Sequence, residues 1–204
     1  MRHMFRSVWL IGSSIAVLCA SGGVFAQPAG PADGWSRHSD GSGRTLTYSG
    51  SATVLGHHAR MESRFYCDTE RTKMTTGAIG FDIEIKDTDA LGSFHFDDFE
   101  GPDAPSLKRQ LMTAMIVRAN GAPQRFQTSP AGSTPVGGGF VFEVSDVFDH
   151  KGSTARKVLE ALRTDASALT VVIVDYRVSS THIELTIPMT GRSADFRWLL
   201  AGLP

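Results

Sequence analysis

The chain has 204 residues, of which 41% are hydrophobic and 20% charged, and its formal net charge is −1. Nucleic acids and anionic membranes attract basic surfaces, so a nearly neutral chain makes neither an expected partner. The composition is that of a globular protein.

Residues 1–26 have the three-part pattern of a cleavable signal peptide. Arg2 and Arg6 form a short basic region, an apolar stretch runs from Val8 to Leu18, and Val24-Phe25-Ala26 is a small-residue cleavage signal before Gln27. The apolar stretch is too short, and too interrupted by glycine and serine, to favour a permanent membrane span. The sequence therefore predicts a periplasmic or secreted protein.

Cleavage after residue 26 leaves 178 of the 204 residues and lowers the count of Lys and Arg from 20 to 18, against 21 acidic residues, for a formal charge of −3. This length suffices for one domain with a substantial core but is short for two. Residues 27–44 are rich in Gly, Pro and Ser and have no apolar period, which predicts a flexible leader. Residues 45–204 are predicted to form a single β-rich domain.

Cysteine usage limits how this domain is held together. Cys19 leaves with the signal peptide, so Cys67 is alone and no disulfide can form within the mature chain. In residues 59–67 the parity places Met61, Phe65 and Cys67 on one face, opposite arginine and glutamate side chains. This alternation predicts a strand with one buried face and an inert, packed thiol.

Short strands with turn residues between them dominate the rest of the chain. The clearest alternation is Ile79–Lys86, where four large apolar residues occupy one parity, as expected of a half-buried antiparallel strand. Further strands are predicted at Thr45–Tyr48, Ala52–Leu55, Ser93–Phe96, Leu111–Arg118, Arg125–Thr128, Phe140–Val144, Leu169–Tyr176 and His182–Ile187.

Two short helices are predicted among these strands. Ser153 or Thr154 can cap a helix whose apolar residues share one face, and Ser193 can cap a second near the C-terminus. The expected fold is mainly β, an antiparallel β-sandwich or distorted barrel with one or two short peripheral helices.

The most conspicuous polar segment contains His95, Asp97, Asp98, Glu100 and Asp103. Carboxylates are suitable ligands for calcium or magnesium, and a histidine beside an aspartate can serve acid–base chemistry. The spacing lacks the EF-hand pattern, however, and a solvated loop explains the composition equally well. These five residues are therefore predicted as a contact loop for a ligand or partner, with a metal-dependent or acid–base hydrolase as the alternative.

Other candidate groups have weaker signals. The adjacent His57 and His58 would point to opposite faces of a strand, so exposed turn histidines are expected in place of a metal site. Trp35, Tyr48 and Tyr66 are candidate exposed aromatic residues, of which Tyr66 is the best because it shares the polar parity of its strand.

Motifs of known catalysis are missing from the sequence. It contains no Gly-x-Ser-x-Gly elbow, no Ser-x-x-Lys, no His-Glu-x-x-His and no phosphate-binding loop. No catalytic, cofactor-binding or metal-ligating residue is therefore predicted.

The order of elements in the C-terminal half resembles that of exported β-sandwich proteins of the invasion-associated locus B type and of lipoprotein-like accessory components of type VI secretion. The elements that carry the resemblance are Leu111–Gly121, Phe140–Val144, Val158–Leu162, Leu169–Tyr176, His182–Ile187 and the terminal segment from Ala194 to Leu200. The resemblance implies a non-enzymatic envelope or secretion-related binding protein and transfers no site residue.

The sequence thus favours an exported, non-catalytic binding or accessory protein whose partner is an envelope or secreted protein. The hydrolase using His95, Asp97, Asp98 and Asp103 is one alternative. A small-molecule carrier with an enclosed apolar pocket is another. Partner identity and oligomeric state stay open.

Overall fold

A computed structural model describes residues 34–41, 43–54, 56–68, 78–147 and 152–201. The predicted signal peptide lies outside these ranges, and within them no helix has the length and apolar character to cross a membrane. The described residues contain ten strands: β1 (Trp35–Ser39), β2 (Gly43–Val54), β3 (His57–Asp68), β4 (Ala78–Ile85), β5 (Met112–Val117), β6 (Gln124–Thr128), β7 (Ala131–Ser133), β8 (Phe140–Val147), β9 (Ala168–Val174) and β10 (His182–Pro188).

All ten strands belong to one antiparallel sheet with the order β6-β5-β9-β10-β2-β3-β4-β8-β7. The long strand β2 has two partners on the same edge, β1 along its first half and β10 along its last residues. The sheet curls into a half-barrel, so the predicted mainly-β antiparallel class is confirmed.

Two helices lie against this sheet, α1 (Thr154–Ala161) and α2 (Ser193–Leu199). Helix α1 contacts β4 and β8 near one end of the strand order and β5 and β6 at the other end. It therefore lies on the concave side of the curled sheet. Ser153 caps α1 as predicted, because its hydroxyl accepts a 3.1 Å hydrogen bond from the Arg156 backbone nitrogen.

Alternation along the strands fills the inside of the curl with apolar side chains. The largest fully buried side chains are those of Phe65, Phe81, Phe99, Phe142 and Phe196. The strand parity predicted around Cys67 is confirmed, since that residue is 5% exposed on the inner face. Burial also raises the pKa of the Cys67 thiol, which disfavours the reactive thiolate.

The prediction of a flexible leader over residues 27–44 is wrong for its second half. Trp35–Ser39 form β1. Trp35 is 4% exposed, and its ring packs against those of Tyr48, Phe65 and Phe196. Trp35 is therefore a core residue and not an exposed aromatic. Burial of the large indole stabilises a strand here despite the turn-forming residues around it. The polar residues that follow occupy the exposed positions of an edge strand.

Two local predictions are also corrected. Ser93–Phe96 does not form a strand, since residues 93–95 are a turn and a bend and Phe96 begins the second of three short 3-10 helical turns, at residues 88–91, 96–99 and 105–108. Ser193 is the first residue of α2, and the residue at the cap position is Arg192.

Candidate functional site

The contact loop, defined here as residues 95–109, is held against the turn that joins β9 to β10. Three consecutive residues of that turn, Asp175, Tyr176 and Arg177, each bind one residue of the loop. The structure therefore brings two of the predicted residues, His95 and Asp98, to partners that the sequence did not indicate.

Asp175 holds the contact loop and the β9–β10 turn together through hydrogen bonds to both. Its side chain is fully buried and accepts a 2.7 Å hydrogen bond from the His95 backbone nitrogen, and it accepts bonds of 2.8 and 2.9 Å from the backbone nitrogens of Arg177 and Val178. The His95 ring adds a contact of 3.0 Å through Nδ1. Burial alone would raise the pKa of Asp175, but these hydrogen bonds hold it below its ordinary value.

The other two ties involve arginine side chains. Arg177 donates from Nε and Nη2 to the two carboxylate oxygens of Asp98, at 2.6 and 2.9 Å, in a bidentate pair. The Arg109 guanidinium lies 4.5 Å from the centroid of the Tyr176 ring. The two pairs fix the conformation of the loop on the end of the sheet.

The remaining predicted residues of the loop face outward. Asp97, Glu100 and Asp103 are exposed. Glu100 accepts a 3.3 Å hydrogen bond from the Thr134 backbone nitrogen, which ties the loop to the β7–β8 connection as well. The loop thus presents carboxylates from a conformation that is already ordered.

Exposed apolar side chains concentrate around the same loop. Within the part of the chain that the structure describes, the large hydrophobic residues with exposed side chains are Leu107, Val136 and Val178. Leu107 belongs to the loop, Val178 to the turn held by Asp175, and Val136 to the connection held by Glu100. Exposed aliphatic groups beside ordered polar ones are typical of an interaction surface.

The chemistry open to this loop follows from its geometry. A buried carboxylate at Nδ1 of His95 leaves Nε2 as the other ring nitrogen, which is the arrangement of an oriented general base. No group of three or more His, Cys, Asp or Glu residues within the described ranges is placed to hold a metal ion. Of the predicted set His95, Asp97, Asp98 and Asp103, the structure brings His95 to Asp175 and pairs Asp98 with Arg177, while Asp97 and Asp103 are exposed.

A second feature is a cleft of about 360 Å³ on the outer face of the sheet, away from the contact loop. Its lining includes His38, Thr45, Arg64, Tyr66 and Glu143. The register explains the position, since β1, β2, β3, β4 and β8 pair side by side there. The alternation in the sequence places Tyr66 on the polar face of β3. Its neighbours in the cleft come from other strands and are set by strand pairing, which the sequence pattern does not show.

Tyr66 is fixed within this cleft by hydrogen bonds to β8. Its hydroxyl donates to Glu143 Oε1 at 2.6 Å, and Ser145 is a further hydrogen-bond partner. Beside it, Arg64 donates to Asp82 from Nε at 2.9 Å, and Asp82 is 5% exposed. Burial, and then the Glu143 carboxylate, raise the pKa of Tyr66 well above its ordinary value.

The burial of Tyr66 and its hydrogen bond to Glu143 predict that the stability of the protein depends on pH in the alkaline range. A phenol whose pKa is raised on folding stabilises the protein below its unfolded pKa of about 10 and loses that contribution as the pH rises toward the folded value. Urea unfolding between pH 9 and 11 should therefore show a steeper loss for the parent than for Tyr66→Phe. Tyr176→Phe is the control, and parallel curves for the parent and Tyr66→Phe would contradict the prediction.

The remaining sequence candidates have no shared site. His57 and His58 are exposed at the start of β3, and His58 Nδ1 lies 3.1 Å from Thr53 Oγ1. His182 lies on β10, 3.9 Å from Glu184. His150 lies outside the described residues.

Comparison with known families, with curated proteins and with solved structures finds no match for the chain.

Proposed function

We propose that this is an exported, non-catalytic binding protein that recognises an envelope or secreted protein through the contact loop. The observation that carries the proposal is the coincidence of three features at one end of the sheet. The loop is ordered by Asp175 and Arg177, its carboxylates Asp97 and Asp103 are exposed, and the large exposed aliphatic residues of the described chain lie on it or on the two connections bonded to it.

Order in the unbound loop matters for binding. Association is opposed by the entropy lost when a flexible loop becomes fixed, and a loop already fixed by several hydrogen bonds avoids much of that loss. Exposed carboxylates add electrostatic selectivity for a partner with a basic surface. The expected partner is therefore a protein with lysine or arginine residues around an apolar contact patch.

Export is supported by the signal-peptide pattern of residues 1–26, and the resemblance of the C-terminal half to secretion-related β-sandwich proteins points the same way. Mass spectrometry of the protein from its native source tests this part separately. A chain that begins at Gln27 is the expected result, and a chain that begins at Met1 would refute export by this signal.

The contact surface is tested by capture with a variant that spares the ties inside the loop. Asp97→Ala/Asp103→Ala/Val178→Ser changes exposed groups only, so urea stability should be retained while recovery of a specific envelope partner falls at least about tenfold, as expected when central contacts are lost. His57→Ala/His58→Ala on β3 is the matched control. Equal recovery by the contact-loop variant and the parent would refute the proposed surface.

One observation favours an alternative function, a hydrolase with His95 as general base. The buried Asp175 at Nδ1 would orient the imidazole for that role. A hydrolytic activity that disappears in His95→Gln and survives in the contact-loop variant would support the alternative over the binding proposal.

A further inference from the structure

The cleft around Tyr66 exists because small residues flank one large aromatic residue on the outer face of the sheet. In the register of the strands, Tyr66 of β3 lies between Thr45 of β2 and Gly80 of β4. The next row toward the strand ends contains Gly43 and Ala78, on either side of Asp68. Small side chains on both sides leave a concave surface with Tyr66 at its centre.

The Tyr66 ring lies across β4 at Gly80. A Cβ atom at Gly80 would be only 2.7 Å from the Tyr66 hydroxyl and 2.9 Å from Cζ, so the ring occupies the space that a side chain would fill. Its hydroxyl then reaches Glu143 on the following strand, β8. The Arg64 guanidinium lies over one face of the ring, 5.8 Å from its centroid, which leaves the other face as the one that a ligand in the cleft can meet.

Hydrogen-bonding side chains surround this aromatic surface. The charged and imidazole side chains of the lining are those of His38, Arg44 and Arg64, which supply nitrogen groups, and of Asp40, Asp68 and Glu143, which supply oxygens. The Arg64 charge is balanced by Asp82, to which it is hydrogen-bonded. An anionic ligand would therefore meet carboxylates, and a cationic ligand would meet Arg44 and Arg64. A neutral ligand with many hydroxyl groups avoids both conflicts, because each hydroxyl can donate and accept.

We propose that this cleft binds a neutral saccharide unit, with one face of the sugar ring packed on Tyr66 and its hydroxyls bonded by the surrounding polar side chains. The C–H groups on one face of a pyranose ring suit the electron-rich face of an aromatic ring. A cleft of about 360 Å³ is at the small end of ligand sites, which suits one or two sugar rings. The inference goes beyond the contact loop and is independent of it.

Saturation-transfer NMR on the mature protein tests this assignment with four probes: glucose, N-acetylglucosamine, cellobiose and chitobiose. At least one probe should give a saturation-transfer signal. The same probe should shift the amide resonances of β3 and β4 in the heteronuclear spectrum of the protein. Tyr66→Ala should weaken that binding about tenfold, whereas Tyr66→Phe, which keeps the ring, should retain most of it. His57→Ala/His58→Ala, which changes exposed side chains at the other end of β3, should leave it unchanged.

Thr45→Tyr provides a second variant that does not depend on removing Tyr66. A large side chain at residue 45 fills the cleft from the neighbouring strand and should abolish the saccharide signal in a folded protein. Spermidine and glutamate serve as a cationic and an anionic comparison ligand in the same experiment. The proposal is overturned if no sugar binds the folded parent, if Tyr66→Ala and Thr45→Tyr bind the sugar as the parent does, or if only spermidine or glutamate binds. The contact-loop variant should bind the saccharide normally, so the two proposals fail separately.

Discussion

Trp35→Ala should lower the free energy of unfolding by about 3 to 5 kcal/mol, the usual range for removing a large aromatic residue from a core. The indole centroid lies 5.2 Å from that of Tyr48, 5.9 Å from Phe65 and 6.3 Å from Phe196. Its removal leaves a cavity between β1, β3 and α2, which the surrounding backbone cannot close.

Urea unfolding followed by circular dichroism measures this effect. Ser36→Ala, which changes the exposed neighbour of Trp35 on β1, should stay within about 0.5 kcal/mol of the parent. Trp35→Phe should fall between the two, because it keeps an aromatic ring at the position. A loss below about 1 kcal/mol in Trp35→Ala would show that β1 contributes little to the stability of the core.

Asp175→Ala should destabilise the protein by about 3 kcal/mol, because it removes a buried carboxylate that accepts hydrogen bonds from three partly buried backbone N–H groups. Those groups belong to His95, Arg177 and Val178, so both the contact loop and the β9–β10 turn should loosen. Hydrogen exchange should show faster exchange of these three amides. Asp97→Ala is the matched control, since its carboxylate is exposed in the same loop.

The effect of Asp175 should also depend on acidity. Because its pKa is lowered on folding, the carboxylate stabilises the protein above its unfolded pKa of about 3.9, and this contribution is lost as the pH falls through the folded value. The difference in unfolding free energy between the parent and Asp175→Asn should therefore shrink below about pH 4. A difference that stays constant from pH 6 to pH 3 would contradict this assignment.

Period-two alternation predicted the class of fold because it records which side of a strand is buried. Ile79–Lys86 and the run around Cys67 became β4 and β3 with the expected inner faces. Trp35 and Ser93–Phe96 were misjudged for opposite reasons. Trp35 is the single large apolar residue in a polar segment, and Phe94 and Phe96 alternate like a strand although Phe94 lies in a bend and Phe96 begins a 3-10 turn.

The contact loop was identified from composition, but its partners were not. Asp175, Tyr176 and Arg177 follow β9 by sequence and meet residues 95–109 only through the curl of the sheet. The usable signal was an aspartate directly after a buried strand, where its side chain can accept backbone N–H groups of a turn. The cleft had no signal of this kind, because Tyr66, Gly80 and Glu143 come together only through strand pairing.

The edge strands of the described sheet are β6 and β7 at its two ends and β1 beside β2, and they determine whether the sheet can pair with a second copy of the chain. An open antiparallel sheet exposes unpaired backbone groups at its ends, which can extend into another molecule. Here β7 has three residues and stands between Pro130 and Pro135, while β6 has five, mostly exposed and polar, and follows Pro123. Short, proline-flanked, polar edges offer little to pair with, so the half-barrel can remain open and still resist growth into fibrils.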